Sequence, residues 1–228
     1  MNQKNETTTQ NETNPIELGR QLRKPTGETG LMIGNYMNTV NEQLYDFVLS
    51  HLTINNNSKI LEIGCGNGKF ISKFFDSNSN IHFTAIDFSD VMCAETKALN
   101  KELLDDSNLI IKCEDSIKMS VSDETFDLVV TINTVYFWEQ IDEQLNEIKR
   151  VLKKDGLFVI GYRPKSVMKD SPTTQEVFNL YEQEDLALLM TQNRFKIIKE
   201  VSQKTSQKTA IDGSQRQFID ICLVLKKQ

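Results

Sequence analysis

The chain has little positive charge relative to its negative charge. Its 228 residues include 26 Lys and Arg against 32 Asp and Glu, which leaves a net charge of −6. The basic residues are scattered, apart from short pairs such as Lys153 with Lys154 and Lys226 with Lys227. Because affinity for nucleic acid depends on clustered Lys and Arg that neutralise phosphates, this distribution disfavours a nucleic-acid partner, and we predict none.

Patterns typical of metal sites and membrane spans are also lacking. The four cysteines show no Cys-x-x-Cys pair and no zinc-site spacing, so we predict no metal and free thiols in a reducing compartment. They are Cys65, Cys93, Cys113 and Cys222. No stretch approaches the ~20 apolar residues of a membrane span, and residues 1–14 lack the apolar core of a signal peptide. We therefore predict a cytoplasmic protein without a membrane partner, present as a monomer or homodimer.

Composition supports one globular domain with an N-terminal extension. Hydrophobic residues make up 39% of the chain and charged residues 25%, which is enough for a packed core. Residues 1–14 are polar and low in complexity, which predicts a disordered tail. Residues 15–57 are predicted to form an N-terminal lid or helical segment, and residues 58–228 the main domain.

The N-terminal segment combines two patterns. Glycines and Pro25 punctuate residues 19–34, which predicts an ordered loop or lid and not a core element. From Tyr36 to Leu52 apolar residues recur three or four apart, which predicts an amphipathic helix. Two interpretations stay open: a lid that orders when a ligand binds, and a helix packed permanently on the domain.

Strand patterns alternate with helical patterns along the main domain. Strands are predicted over Lys59–Gly64, His82–Asp87, Leu109–Cys113, Phe126–Ile132, Leu157–Tyr162, Phe195–Val201 and Gln217–Leu225. Helices are predicted from Ser89 to Leu104, from Glu139 to Leu152, and after Pro172 to Met190. The first five strands imply βαβ units and a parallel sheet covered on both faces, whereas the last two imply an antiparallel edge pair. The fold class is therefore α/β.

The strongest functional motif is a glycine loop between the first strand and the following helix. Gly64, Gly66 and Gly68 alternate there, and such glycines let a ligand lie against bare backbone. Asp87 ends the next strand, 19 residues after Gly68 (87 − 68), close to the spacing of an acid that binds a ribose. The alternatives are a turn without a ligand and an Asp that only caps a helix.

Two features of the loop distinguish between nucleoside cofactors. Dinucleotide-binding loops space their glycines G-x-G-x-x-G, whereas this loop reads G-x-G-x-G, which favours S-adenosylmethionine (SAM) over NAD. Glu62 precedes the first glycine by two residues and is expected beneath the loop, where it would bond the loop backbone or, through water, the ammonium group of SAM. A carboxylate there would repel a pyrophosphate but not a positively charged methionine end.

Polar and aromatic residues also follow the third and fourth strands. Asp115, beside Ser116, is placed to receive an adenine amino group, or else is a solvated loop acid. Asn133 and Tyr136 follow the fourth strand, where an acceptor would meet the cofactor. The aromatic cluster that includes Trp138 is interpreted either as a pocket wall or as core beneath the next helix.

Residues 59–163 resemble the class I SAM-dependent methyltransferases, in particular the small-molecule group similar to ubiquinone-biosynthesis enzymes. The matching segments are Ile60–Gly68, Ala85–Met92, Glu114–Asp115, Phe126–Asn133 and Glu147–Leu157. The resemblance implies a Rossmann-like three-layer sandwich with a seven-stranded, mostly parallel sheet in the order 3-2-1-4-5-7-6 and strand 7 antiparallel. It places Phe88 and Met92 against the adenosine. Residues 22–41 also resemble the N-terminal part of some small-molecule members, where it closes over the cofactor.

We therefore predict a SAM-dependent methyltransferase that acts on a small-molecule acceptor by in-line displacement. The predicted cofactor-binding residues are Glu62, Gly64, Cys65, Gly66, Gly68, Asp87, Phe88, Met92, Asp115, Ser116 and Asn133. The predicted substrate-binding residues are Tyr36, Tyr136 and Trp138. No catalytic residue is assigned, because His51 and His82 occupy positions typical of structural residues. The alternatives are a non-catalytic SAM-binding or regulatory protein and, less favoured, a nicotinamide-dependent oxidoreductase, since the chain has no Tyr-x-x-x-Lys at Tyr136 or Tyr162.

Overall fold

The computed structural model of the protein describes residues 14–77, 80–106, 108–209 and 213–228. The tail predicted over residues 1–14 lies outside these ranges except for Asn14, whose side chain accepts a hydrogen bond from the Ile16 N–H and caps the first helix. The helices are α1 (Pro15–Arg23), α2 (Gly27–Leu49), α3 (Ile71–Ser77), α4 (Asp90–Leu99), α5 (Lys101–Asp105), α6 (Ile141–Val151), α7 (Lys165–Met168) and α8 (Gln183–Gln192). Short 3-10 turns cover Val135–Phe137 and Pro172–Thr174.

Seven strands form one sheet. They are β1 (Lys59–Ile63), β2 (His82–Asp87), β3 (Leu109–Cys113), β4 (Phe126–Ile132), β5 (Leu152–Tyr162), β6 (Phe195–Thr209) and β7 (Gln215–Lys227). Their order is β3-β2-β1-β4-β5-β7-β6, and β7 runs antiparallel to both of its neighbours. The predicted fold class, strand order and antiparallel seventh strand are confirmed.

The register of the central strands brings the sequence motifs to one edge. Ile63 at the end of β1 pairs with Ile86 of β2 and with Thr131 of β4, and Asp87 pairs with Cys113 of β3. The carboxyl ends of these parallel strands therefore lie side by side. Ligands of open α/β sheets bind at this edge, so the register positions the site.

The ordered loop predicted over residues 19–34 is wrong, because most of this stretch is helical in α1 and α2, with a break over residues 24–26. Its role as a lid stays a prediction. Gly27, with a φ of 57°, begins α2 after this break, whereas Gly19 and Gly34 mark close packing. A Cβ at Gly19 would come within 2.5 Å of the Thr173 carbonyl oxygen, and one at Gly34 would come within 3.0 Å of the Met92 side chain. Glycine lowers helix propensity by only about 1 kcal/mol, which tertiary packing offsets here.

Helix α2 belongs to the core of the domain. Leu44 and Val48 are fully buried and pack in the same cluster as Phe74 of α3 and Phe83 of β2. Each such side chain contributes about 1.5–3 kcal/mol when it leaves water. The interpretation of residues 36–52 as a helix packed on the domain is therefore correct for the C-terminal half of α2.

Other predicted elements also differ from the structure, among them β5, which begins at Leu152 and not at Leu157. The helix predicted from Ser89 to Leu104 is split at Asn100, whose side chain donates hydrogen bonds to the carbonyls of Gly68 and Thr96. The helix predicted after Pro172 begins only at Gln183. The edge hairpin of β6 and β7 is longer than predicted. Its distal part is rich in Lys, Gln and Ser and lacks the apolar alternation that indicates a strand.

None of the helices within the described ranges has the length and apolar character that would let it cross a membrane. The same residues contain no group of three or more His, Cys, Asp or Glu side chains arranged to hold a metal ion. All four cysteines are free thiols.

Candidate functional site

A cavity of about 200 Å³ lies at the carboxyl ends of β1, β2 and β4, beneath α1 and α2. Most of the predicted cofactor-binding residues line it. These are Gly64, Cys65, Gly66, Asp87, Phe88, Met92, Asp115, Ser116 and Asn133. Residues that are far apart in the sequence thus meet at one place, as the strand order predicts.

The three loop glycines have different roles. All have positive φ, at 75° for Gly64, 57° for Gly66 and 72° for Gly68. A Cβ at Gly66 would meet no atom within 4 Å, so this glycine opens onto the cavity, whereas one at Gly64 would collide with the Thr134 side chain. Gly68 lies outside the cavity lining: a Cβ there would meet Thr96 and Asn100, so it serves packing against α4 and not a ligand.

Asp87 ties the glycine loop to the start of α4. Its two carboxylate oxygens accept hydrogen bonds from the N–H groups of Gly66 and Ser89, each at 2.9 Å. The cap of α4 is Ser89, whose hydroxyl accepts from the Met92 N–H, as predicted. Burial raises the pKa of Asp87 to about 6 against the lowering effect of these backbone hydrogen bonds. Each oxygen keeps a lone pair for a ligand hydroxyl, because a carboxylate offers about four acceptor positions.

Glu62 does not line the cavity, and its side chain bonds Tyr45 and not the loop backbone, whereas the expected contact with the ammonium group of SAM through water stays a prediction. It is 1% exposed and accepts a hydrogen bond of 2.7 Å from the hydroxyl of Tyr45, which itself lines the cavity. Burial raises the pKa of Glu62 to about 7; the hydrogen bond from Tyr45 lowers it and the negative charge of Asp87 raises it further. Glu62 therefore acts on the site through Tyr45.

The buried Glu62 predicts a pH-dependent stability. Because the folded state binds this proton more tightly than the unfolded chain, whose pKa is near 4.5, the contribution of Glu62 is largest at acidic pH and is lost as the pH rises through 7. In the wild type, the free energy of unfolding should fall between about pH 5 and about pH 8 as Glu62 loses its proton. We expect this fall to be smaller by roughly 2 kcal/mol in Glu62→Gln. Urea titrations of the ligand-free protein measure this.

The exposed Glu28 provides the matched control for that experiment. Glu28→Gln should keep the wild-type slope of stability against pH, and Asp87 should leave a residual slope in Glu62→Gln, since its pKa is also raised. An identical slope in the wild type and in Glu62→Gln would show that Glu62 does not titrate in this range.

The far end of the cavity has an apolar and a polar side. Phe88 and Met92 form the apolar side, and the Lys24 ammonium lies 5.0 Å from the centre of the Phe88 ring. On the polar side, the Ser116 carbonyl accepts a hydrogen bond of 3.0 Å from the Gln144 side chain, and Asp115 caps the following turn through the Ile117 N–H. Apolar surface and oxygen acceptors in one cavity are the surroundings that a heteroaromatic base with an exocyclic amine requires.

The predicted substrate residues are not gathered around this cavity. Trp138 lines it, but Tyr136 is 1% exposed, and its hydroxyl donates to the Asn133 side chain at 3.0 Å and accepts from the Arg163 N–H. Tyr136 therefore positions Asn133 and belongs to the core. Tyr36 donates to the Thr209 carbonyl at 2.9 Å and lines a second, adjoining cavity.

Sequence reasoning missed several residues of the site. Asn41 and Tyr45 lie one turn apart on α2, and Asn41 accepts a hydrogen bond of 2.8 Å from the Asn133 side chain. Two polar side chains within the apolar stripe of a helix were the available signal. Arg23 also lines the cavity, forms an ion pair of 2.6 Å with Glu139, and has a buried Nε without a hydrogen-bond partner among the described atoms.

A sheet of this order, with a glycine loop and an acid at its carboxyl edge, defines a Rossmann-like protein that binds a nucleoside cofactor. Residues 61–160 match the family model described as a methyltransferase domain. The chain therefore carries a methyltransferase domain, and the resemblance to class I SAM-dependent methyltransferases is confirmed. At the level of this domain, so are the predicted enzyme class and its cofactor, SAM.

Several curated proteins are similar to part of the chain, among them two methyltransferases. Malonyl-(acyl-carrier protein) O-methyltransferase of Bacillus anthracis is 30% identical over 99 residues, which cover 43% of this chain and 32% of that protein. The tRNA (carboxymethyluridine(34)-5-O)-methyltransferase of Saccharomyces cerevisiae is 28% identical over 94 residues, which cover 41% of this chain and 30% of that protein. The matches span about a third of the length of these relatives.

A solved structure shows the same fold over most of the chain. Geranyl diphosphate C-methyltransferase from Streptomyces coelicolor A3(2), in complex with Mg²⁺, geranyl-S-thiolodiphosphate and S-adenosyl-L-homocysteine, aligns with a TM-score of 0.65 at 13% identity. The alignment covers 82% of this chain and 76% of that chain.

Proposed function

We propose that the protein binds SAM in the cavity and transfers its methyl group to a small-molecule acceptor. The observation that carries this proposal is the arrangement of Gly66 and Asp87: a loop glycine open to the cavity, beside a buried carboxylate that keeps acceptor capacity. This arrangement suits a ligand that brings two hydroxyls to the acid and approaches the backbone closely.

The residues present fit each part of SAM. Asp87 would accept from the ribose hydroxyls, while Phe88 and Met92 would hold the adenine ring. Asp115 would accept from the adenine amine. The buried Nε of Arg23 lacks a partner among the described atoms and would donate to the methionine carboxylate. When bound, SAM supplies an electrophilic methyl group on a sulfonium.

The chain's own contribution to methyl transfer is positioning and exclusion of water. Helices α1 and α2 cover the cavity, and the Arg23–Glu139 ion pair connects α1 to the turn before α6. Holding the reacting atoms in line and in a dry site is sufficient for displacement from a sulfonium. Neither His51 nor His82 lines the cavity, so no general base is assigned there.

The net charge of the chain and a second cavity beside the first support a small-molecule acceptor. The negative net charge and scattered basic residues disfavour a nucleic-acid surface. A second cavity adjoins the first and shares part of its lining, which provides space for an acceptor. This space favours catalysis over the alternative of a SAM-binding regulatory protein.

Calorimetry tests the choice of cofactor. We expect SAM and S-adenosylhomocysteine to bind and NAD not to bind, because the loop spaces its glycines G-x-G-x-G and not G-x-G-x-x-G. Turnover is then sought by screening hydroxyl, amine and thiol compounds with labelled SAM. Binding of NAD without binding of SAM would overturn the proposed cofactor.

A further inference from the structure

The second cavity, of about 70 Å³, lies beside the cofactor cavity, between the N-terminal helices, the end of β4 and the start of β7. Leu22, Met37, Asn133 and Phe137 line both cavities. A molecule in the second cavity would therefore adjoin the cofactor site. We call this second cavity the acceptor chamber; its interpretation rests on the function proposed above.

The walls of the acceptor chamber are largely hydrocarbon. Phe178, Phe218 and Met168 line it, and the hydroxyl groups on its surface already have partners. The hydroxyls of Ser171 and Thr173 bond each other at 2.8 Å. Thr174 donates to the Met168 carbonyl, and Tyr36 donates to the Thr209 carbonyl. The chamber therefore suits a compact apolar molecule.

The charge that faces the acceptor chamber is positive. Arg163 lines the chamber and is 2% exposed; its Nε bonds the Asp220 carboxylate at 3.0 Å and its Nη2 the Val40 carbonyl at 2.8 Å. Asp220 is fully buried and lies outside the lining, and the guanidinium carbon of Arg163 lies 4.4 Å from the centre of the Phe218 ring, so the lining includes the cationic partner of this ion pair and not its carboxylate. Arg216 lines the chamber as well.

The residues that line the chamber within the described ranges include no Asp, Glu, His, Lys or Cys. An alcohol would therefore find no base to remove its proton. An amine would develop a positive charge beside Arg163 without a facing carboxylate. An anion, by contrast, is attracted by the guanidinium and cancels the sulfonium charge as it reacts, which a poorly solvated chamber favours.

We propose that the acceptor chamber binds a compact apolar acceptor that reacts as the anion of a weak acid, a thiolate or phenolate. The acid loses its proton to water before the reaction. A lone pair on its sulfur or oxygen forms the new bond to the methyl carbon, and the carbon–sulfonium bond breaks with its electron pair going to sulfur. The products are a neutral methyl thioether or ether and S-adenosylhomocysteine.

The test compares benzene derivatives of similar size with labelled SAM and the wild-type protein. We expect thiophenol and a halogenated phenol that ionises near neutrality to be methylated on the order of a hundredfold faster, in kcat/KM, than benzyl alcohol or benzylamine. The midpoint of the pH profile should move with the acidity of the acceptor when two thiophenols of different pKa are compared. Preferred methylation of the amine or alcohol, or one fixed midpoint for all acceptors, would overturn the proposal.

A substitution tests where the acceptor binds. Met168 lines the acceptor chamber but not the cofactor cavity. Met168→Trp should therefore lower kcat/KM for thiophenol at least roughly tenfold while SAM affinity stays unchanged. Leu188, which is 59% exposed on α8 and outside the lining of both cavities, gives the control Leu188→Trp with wild-type kinetics. Should Met168→Trp not fold, the acceptor series in the wild type still decides the question.

The two proposals fail in different ways. Absence of SAM binding in the wild type would overturn the proposed function together with this inference. Binding of SAM with turnover only on amines, or wild-type kinetics in a folded Met168→Trp, would overturn the inference about the acceptor chamber and leave the proposed function standing.

Discussion

Replacing Asp87 with Asn should weaken SAM binding by roughly ten- to a hundredfold while the domain stays folded. The carboxylate accepts from the Gly66 and Ser89 N–H groups and would accept from two ribose hydroxyls as well. An amide offers one acceptor oxygen and two N–H donors, so one of these partners is lost and a donor faces another donor. Calorimetry with S-adenosylhomocysteine measures the change without turnover.

Asp90 supplies the matched control, because it is exposed, begins α4 and lies outside the cavity lining. Asp90→Asn should bind S-adenosylhomocysteine as tightly as the wild type does. Circular dichroism and the urea midpoint establish that both variants are folded. An unchanged dissociation constant in folded Asp87→Asn would mean that Asp87 only holds the glycine loop.

Three of the parallel strands could be predicted to the residue, whereas the predicted β1 ends one residue late and the predicted β5 begins five residues late. The predicted bounds of β2, β3 and β4 equal those observed, because short apolar runs end there at turn residues. The register of a parallel sheet then places Asp87 beside the glycine loop without further information. Local pattern and topology together therefore specified much of the cavity lining, and the binding of the cofactor by these residues stays a prediction.

The remaining part of the site depends on contacts between distant residues. Nothing near Glu62 in the sequence indicates that Tyr45 of α2 will cover it, nor does Arg23 reveal its pairing with Glu139. Gly68 satisfied the motif yet packs against α4, because spacing does not tell which glycine faces the ligand. Such pairings depend on how α1 and α2 pack on the sheet. This packing could not be predicted, because the glycines in these helices indicated a loop.

Removing residues 1–24 should lower methyl transfer at least roughly a hundredfold while the sheet stays folded. The deletion removes α1 and with it Leu22 and Arg23, which cover the cavity. The buried C-terminal half of α2, with Leu44 and Val48, is retained and keeps the core intact. Turnover with labelled SAM and the urea midpoint measure the two effects separately. As the control, removing residues 1–13 should leave activity unchanged.

The same covering segment should become more protected when the cofactor site is filled. The contacts that hold it over the cavity include the Arg23–Glu139 ion pair, the hydrogen bond from Ser89 to the Pro25 carbonyl, and the packing of Gly34 on Met92. The ion pair is partly exposed and contributes little free energy by itself. Movement of α1 away from the cavity therefore costs little free energy until a ligand contacts both the covering segment and the carboxyl edge of the sheet. Hydrogen exchange over residues 19–36 should therefore be fast in the ligand-free protein and slow with S-adenosylhomocysteine, whereas β1 and β4 should exchange slowly in both states. Equal protection of residues 19–36 with and without ligand would identify α1 and the start of α2 as a fixed wall of the cavity and not a lid.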